Sequence, residues 1–172
     1  YRQLTLKDLL CFNIIGQPAV FMRRSALQQT SGLDATFHFL LDHLLWIQIA
    51  KQGKILHVNQ TWAAARYHSE AKNVSKAAEF GREAFRILET IAKALLSVDR
   101  RAHASAFRVD ARYLLDGGYP AKALQQWFLA LFIHPPTALG RMNIFVSSIL
   151  NLLGLEKMRD AVLAQRKKKL SG

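Results

Sequence analysis

Apolar positions change their rhythm along this chain. In the first 75 residues short apolar runs alternate with turn signals. Ala19-Val20-Phe21-Met22 follows Gly16-Gln17-Pro18 and precedes Arg23-Arg24, and an apolar run bounded in this way reads as a buried strand. Residues 25–29 suit a brief helix closed at Ser31-Gly32, where the glycine can take the left-handed conformation that ends helices. Asp42 then stands as the N-cap of a helix expected over 43–52 and ended by Gly53. Leu44, Leu45, Trp46, Ile47 and Ile49 cover most of that helix's circumference, so it should be buried. A strand is expected over 54–58.

From Val74 onward the rhythm becomes helical. Phe80, Ala84, Ile87, Leu88, Ile91 and Leu95 recur at three and four, the spacing of an amphipathic helix. Further helices are expected over 100–115, 120–133, 137–153 and 155–170, separated at Gly117-Gly118 and Pro135-Pro136. The stretch Gly118-Tyr119-Pro120-Ala121-Lys122-Ala123-Leu124, with Ala130, resembles one helical-hairpin repeat, but no second copy follows at a fixed period, which argues against a solenoid. The pattern predicts an α/β fragment over residues 1–75 and an all-α helical region over 76–172, with the boundary in the polar stretch 69–75.

Composition narrows the class. The chain has 172 residues, 51% of them hydrophobic, so its net charge of +12 does not make it disordered. Residues 1–75 contribute 8 basic and 4 acidic side chains, and residues 76–172 contribute 16 and 8. A single cysteine, Cys11, excludes an internal disulfide and makes a cytoplasmic setting the default. Residues 1–10 lack a basic region leading into an apolar core, so they read as an internal start rather than a signal peptide.

Four pieces of the first part carry a resemblance. They are Ile15-Gly16-Gln17-Pro18-Ala19-Val20-Phe21-Met22-Arg23-Arg24, then Ser31-Gly32-Leu33-Asp34, then Leu41-Asp42-His43-Leu44-Leu45-Trp46-Ile47-Gln48-Ile49-Ala50, and finally Ala65-Arg66-Tyr67-His68-Ser69-Glu70-Ala71-Lys72. In this order they resemble the carboxyl-terminal half of the catalytic domain of family 2 glycosyltransferases, inverting sugar transferases of the GT-A fold. The resemblance covers roughly residues 12–75. Ser31 stands where many relatives have Gly, and Ala71 replaces the usual Ser before Lys72.

The resemblance implies roles residue by residue. Asp42 falls at the position of the general base, the carboxylate that takes a proton from the acceptor hydroxyl as its oxygen attacks the anomeric carbon; the plainer reading is a helix cap, and one Asp can do both. His68 matches a histidine that helps bind the divalent metal on the nucleotide diphosphate, or is an ordinary loop histidine. Arg66 is placed to approach a phosphate, or is a surface charge, and Gln17, Arg23 and Arg24 border the donor and acceptor cleft, or end a solvated strand. His38, His43 and Trp46 are expected to pack or orient rather than react.

The implied parent is an inverting glycosyltransferase that uses a nucleotide-sugar donor and manganese or magnesium to modify a glycan, cell-envelope polysaccharide or lipid-linked acceptor. No Asp-x-Asp and no Gly-rich phosphate loop occurs in the chain. The family's amino-terminal half supplies these, so the segment alone is expected to be inactive and without cofactor. No zinc-like spacing of His with Cys occurs either.

The helical part is read from charge and hydropathy alone. Residues 127–155 contain only His134 and Arg141 as titratable groups, and Arg166-Lys167-Lys168-Lys169 follows near the end. Pro135-Pro136 and Arg141 interrupt the run, which argues against a membrane-spanning helix. A buried helical core and an interfacial helix pair with a basic tail on anionic lipid both fit, the second giving a peripheral membrane contact. Nucleic acid is disfavoured, because Arg82, Arg86, Lys93, Arg100, Arg101, Arg108 and Arg112 are spread without a recognition motif. The competing class is a basic helical binding or scaffold module.

Overall fold

The structure, a computed structural model, describes residues 1–64, 76–94 and 98–155. Strand β1 (Arg2–Leu4) leads into α1 (Leu6–Leu10), then come α2 (Arg24–Gln28), α3 (Leu41–Gln52) and β2 (Ile55–His57). The second part holds α4 (Ala77–Ala94), α5 (Arg100–Asp116), α6 (Pro120–Ile133), α7 (Pro135–Leu139) and α8 (Met142–Leu152).

The α/β expectation is overturned, because the described residues are mostly helical and their one sheet is the antiparallel pair β1–β2. Its register sets Arg2 against His57, Gln3 against Leu56 and Leu4 against Ile55. The run at 19–22 is no strand: residues 17–19 form a 3-10 turn with Pro18 inside it, and Phe21 is 80% exposed, edge-on to the exposed Trp62. A strand needs a neighbour to take its N–H and C=O groups, and none lies beside this run among the described residues.

Local signals explain the helices that do form. Thr5 and Asp8 make a reciprocal capping box at the start of α1. Gly32 takes a φ of +75° after α2. Asp99 caps α5 through the Ala102 N–H, and Pro120 opens α6. The helix expected over 137–153 is interrupted at Gly140 and Arg141 and becomes α7 and α8. The helix expected over 155–170 lies outside the described residues.

Two cores organise the chain. In the first, Leu9, Phe12, Phe37 and Leu40 join the buried face of α3 (Leu44, Leu45, Trp46, Ile47) and pack on Phe80, Ala84, Ile87, Leu88 and Ile91 of α4 and on Ala102, Ala106 and Val109 of α5. The amino-terminal part and the first two long helices thus bury one another. The second core joins Ala104, Ala111, Leu114 and Leu115 of α5 to Ala123, Trp127 and Ala130 of α6, with Ala138 and Ile144. Trp127 donates its indole N–H to the Ala138 carbonyl. Burial of the tail of the apolar run is incomplete: Ile144 is buried, whereas Phe128 and Leu153 are exposed.

Candidate functional site

The start of α3 is built by residues from three other elements. Its N-cap is Leu40, whose side chain cannot accept a hydrogen bond, so the expected cap at Asp42 lies two residues too far into the helix. The segment that leads into the helix is held instead from α4. Glu83, 5% exposed, receives the N–H groups of His38 at 2.6 Å, Phe39 at 2.8 Å and Leu40 at 2.8 Å. A buried carboxylate is tolerated only when its lone pairs are filled, and here three consecutive amides fill them.

Asp42, in the first turn of α3, accepts the His43 N–H on Oδ1 at 2.7 Å. Burial pushes its carboxyl above the ordinary carboxylate value, and the amides of His43 and Asp42 pull the other way without cancelling it. A half-buried carboxylate with a raised pKa at a helix start has the character of a proton acceptor.

Behind it, His43 is buried and stacked on Phe12, ring centroids 5.3 Å apart. Its Nε2 lies 3.0 Å from the Leu9 carbonyl, while Nδ1 has no partner. Burial lowers its pKa to about 4, so the ring is neutral and Nε2–H donates to Leu9. Phe12 is the one described non-glycine residue with positive φ, at 52°. Arg108 of α5 donates to the neighbouring Cys11 carbonyl at 3.2 Å. Trp46 is 3% exposed and anchors the core, which gives it a packing place rather than a sugar-facing one.

None of the other expected site residues is bonded to Asp42 among the described residues. Gln17 lies in the 3-10 turn, Arg23 precedes α2 and Arg24 opens it; all three are exposed, and no hydrogen bond or ion pair joins them to Asp42 among the described residues. Arg66 and His68 lie outside the described residues. Among the described residues no three of His, Cys, Asp and Glu converge as metal ligands, and His68, the one expected ligand, lies outside them.

Two shallow surface grooves lie elsewhere. One, of about 700 Å3, is lined by Lys7, Asp99, Arg100, Arg101, His134 and Thr137. The other, of about 560 Å3, is apolar and formed by Phe128, Leu129, Leu131 and Phe132 of α6. Among the described residues no helix is long and apolar enough to cross a membrane.

Glu83 belongs to no motif in the sequence. A signal was present: the residue sits inside the apolar stripe of α4, three positions after Phe80 and four before Ile87, where an acid has to find buried donors.

Compared with known proteins, the chain matches no family model, no curated protein and no solved structure.

Proposed function

We propose that this chain is a segment of a nucleotide-sugar-dependent inverting glycosyltransferase that transfers a sugar to a hydroxyl of a glycan, polysaccharide or lipid-linked acceptor, and that Asp42 is its general base. The observation that carries the reading is the state of Asp42, a half-buried carboxyl with raised pKa held at the start of a buried helix. The motif order around it supports the same chemistry. In the step itself Asp42 removes the acceptor hydroxyl proton, the freed oxygen bonds to the anomeric carbon, and the bond to the nucleoside diphosphate breaks on the opposite face. Gln17, Arg23, Arg24 and Arg66 are assigned to substrate, and most donor-selecting groups to parts of the parent outside this chain, on the cytoplasmic side of the membrane.

The test uses the full-length parent with UDP-, GDP- and dTDP-sugars, manganese and isolated lipid-linked glycan. Release of nucleoside diphosphate coupled to an inverted glycosidic product supports the reading. Absence of release from every donor in a folded parent contradicts it.

A second reading, a helical module resting on a membrane surface, is favoured by one observation. Phe132 of α6 is 86% exposed beside Phe128 and Leu129, in a stretch from 117 to 155 that contains no acidic residue. Sedimentation with phosphatidylglycerol vesicles that is lost on Phe132→Ser supports this reading, and no binding at low salt removes it.

A further inference from the structure

We propose that α4 of the helical part is a positioning element for Asp42, acting through Glu83 and Arg86 on residues 36–40. The proposal rests on the sugar-transfer reading above, and extends it to a helix that the family resemblance does not reach.

Its basis is the direction of three consecutive amides. The N–H groups of His38, Phe39 and Leu40 all point at one carboxylate, Oε1 taking the first and Oε2 the other two. A backbone in which three successive amides converge has little conformational freedom left, and it forms a concave seat for an anion. Here the anion is a side chain from a helix 43 to 45 residues away in sequence. Leu40 is the N-cap of α3 and Asp42 follows in the first turn, so fixing Leu40 fixes the direction in which the Asp42 carboxyl leaves the helix.

One turn further along α4, Arg86 grips the same segment. Its Nη1 donates to the Thr36 carbonyl at 3.1 Å and Nη2 to Thr36 Oγ1 at 3.4 Å, and its guanidinium lies over the Phe37 ring at 4.4 Å. Asp34 closes the segment from the other end, accepting the Thr36 N–H at 2.9 Å and its hydroxyl at 2.7 Å. Residues 34–40 are therefore held along their length, with α4 supplying the two long-range grips. A side chain that only filled space in the core would not place its charge under three amides next to the helix that carries the base. Glu83 is thus a positioning residue: it has no contact with the reacting atoms and acts through Leu40.

Burial and the backbone amides of residues 42 and 43 set the titration of Asp42. Loosening the segment lets water reach the carboxyl, so its midpoint should move. In Glu83→Gln the side-chain amide presents hydrogens to donors and the triple acceptor is lost. In carbon-detected NMR of the chain, Glu83→Gln should lower the Asp42 midpoint toward the ordinary carboxylate value and speed exchange of the amides at 38–40, while Glu83→Asp restores part of both. In the full-length enzyme Glu83→Gln should lower kcat about tenfold, leave the donor KM unchanged and move the acid limb of the pH–rate profile. Where Glu83→Gln fails to fold, Arg86→Met, altered at an exposed side chain, must move the Asp42 midpoint in the same direction. An unmoved midpoint in a folded variant overturns the proposal, as does a loss of rate that tracks only the loss of folded protein. Asp42→Asn separates the two claims: if it abolishes transfer while Glu83→Gln leaves kcat intact, positioning fails and the base assignment stands, and if Asp42→Asn keeps full turnover the base assignment itself fails.

Discussion

Gly81 of α4 lies directly against Asp110 of α5: a Cβ built at residue 81 would overlap both the Asp110 carboxylate and its Cα. The two helices cross at this point, with Phe80 stacked on Tyr113 beside it, ring centroids 4.4 Å apart. The contact fixes how near α4 comes to α5, and α4 carries Glu83 two residues on.

In an unconstrained helix, Gly→Ala gains about 1 kcal/mol from propensity. At Gly81 the overlap reverses the sign, and Gly81→Ala should cost about 1–3 kcal/mol as the helices are forced apart. Urea unfolding of the variant checks this. A midpoint equal to or above that of the parent chain contradicts the close crossing.

Asp110 should make the fold weaken as pH rises. Burial pushes its carboxyl up to about 6, with the Arg82 charge pulling it back only in part. A folded pKa above the unfolded one means that the contribution is complete below about pH 4, is lost as pH climbs to about 6, and is flat beyond. Asp110→Asn removes the buried charge and should gain about 2 kcal/mol at pH 8 and almost nothing at pH 4. Denaturation of both proteins at the two pH values decides, and an equal difference at both would show that Asp110 titrates normally.

His43 acts in the opposite direction. Its pKa is lowered by burial to about 4, so the neutral ring is the folded form, and stability is lost as pH falls from about 6.5 toward 4. The full loss is about 3 kcal/mol. His43→Gln keeps a donor for Leu9 and removes the titration, so its deficit relative to the parent chain should shrink steadily between pH 7 and pH 4. A deficit independent of pH would show that the imidazole is accessible to protons when folded.

The legible parts of the fold are those with local causes. α6 spans Pro120–Ile133, as expected, because Pro120 opens it and a paired proline follows His134. The left-handed Gly32 and the burial of Leu44, Leu45, Trp46 and Ile47 follow from turn chemistry and from a helix apolar on nearly every side. What failed depends on partners. The run at 19–22 has strand composition, but a strand exists only beside another strand, and Phe21 instead meets Trp62 at the surface. β1 was hidden because three residues, Arg2–Leu4, show no period of their own and gain their form from β2. Asp42 was visible as a candidate, whereas its supports were not, since a Glu83 carboxylate that accepts the Leu40 N–H from another helix leaves no trace at the position it holds.

The most direct measurement is the rate of sugar transfer by the full-length enzyme carrying Asp42→Asn, at saturating donor and with melting temperature recorded alongside. A folded variant whose kcat falls by about 100-fold or more is expected, the loss that removing a general base produces. A folded Asp42→Asn enzyme with near-normal kcat would contradict it.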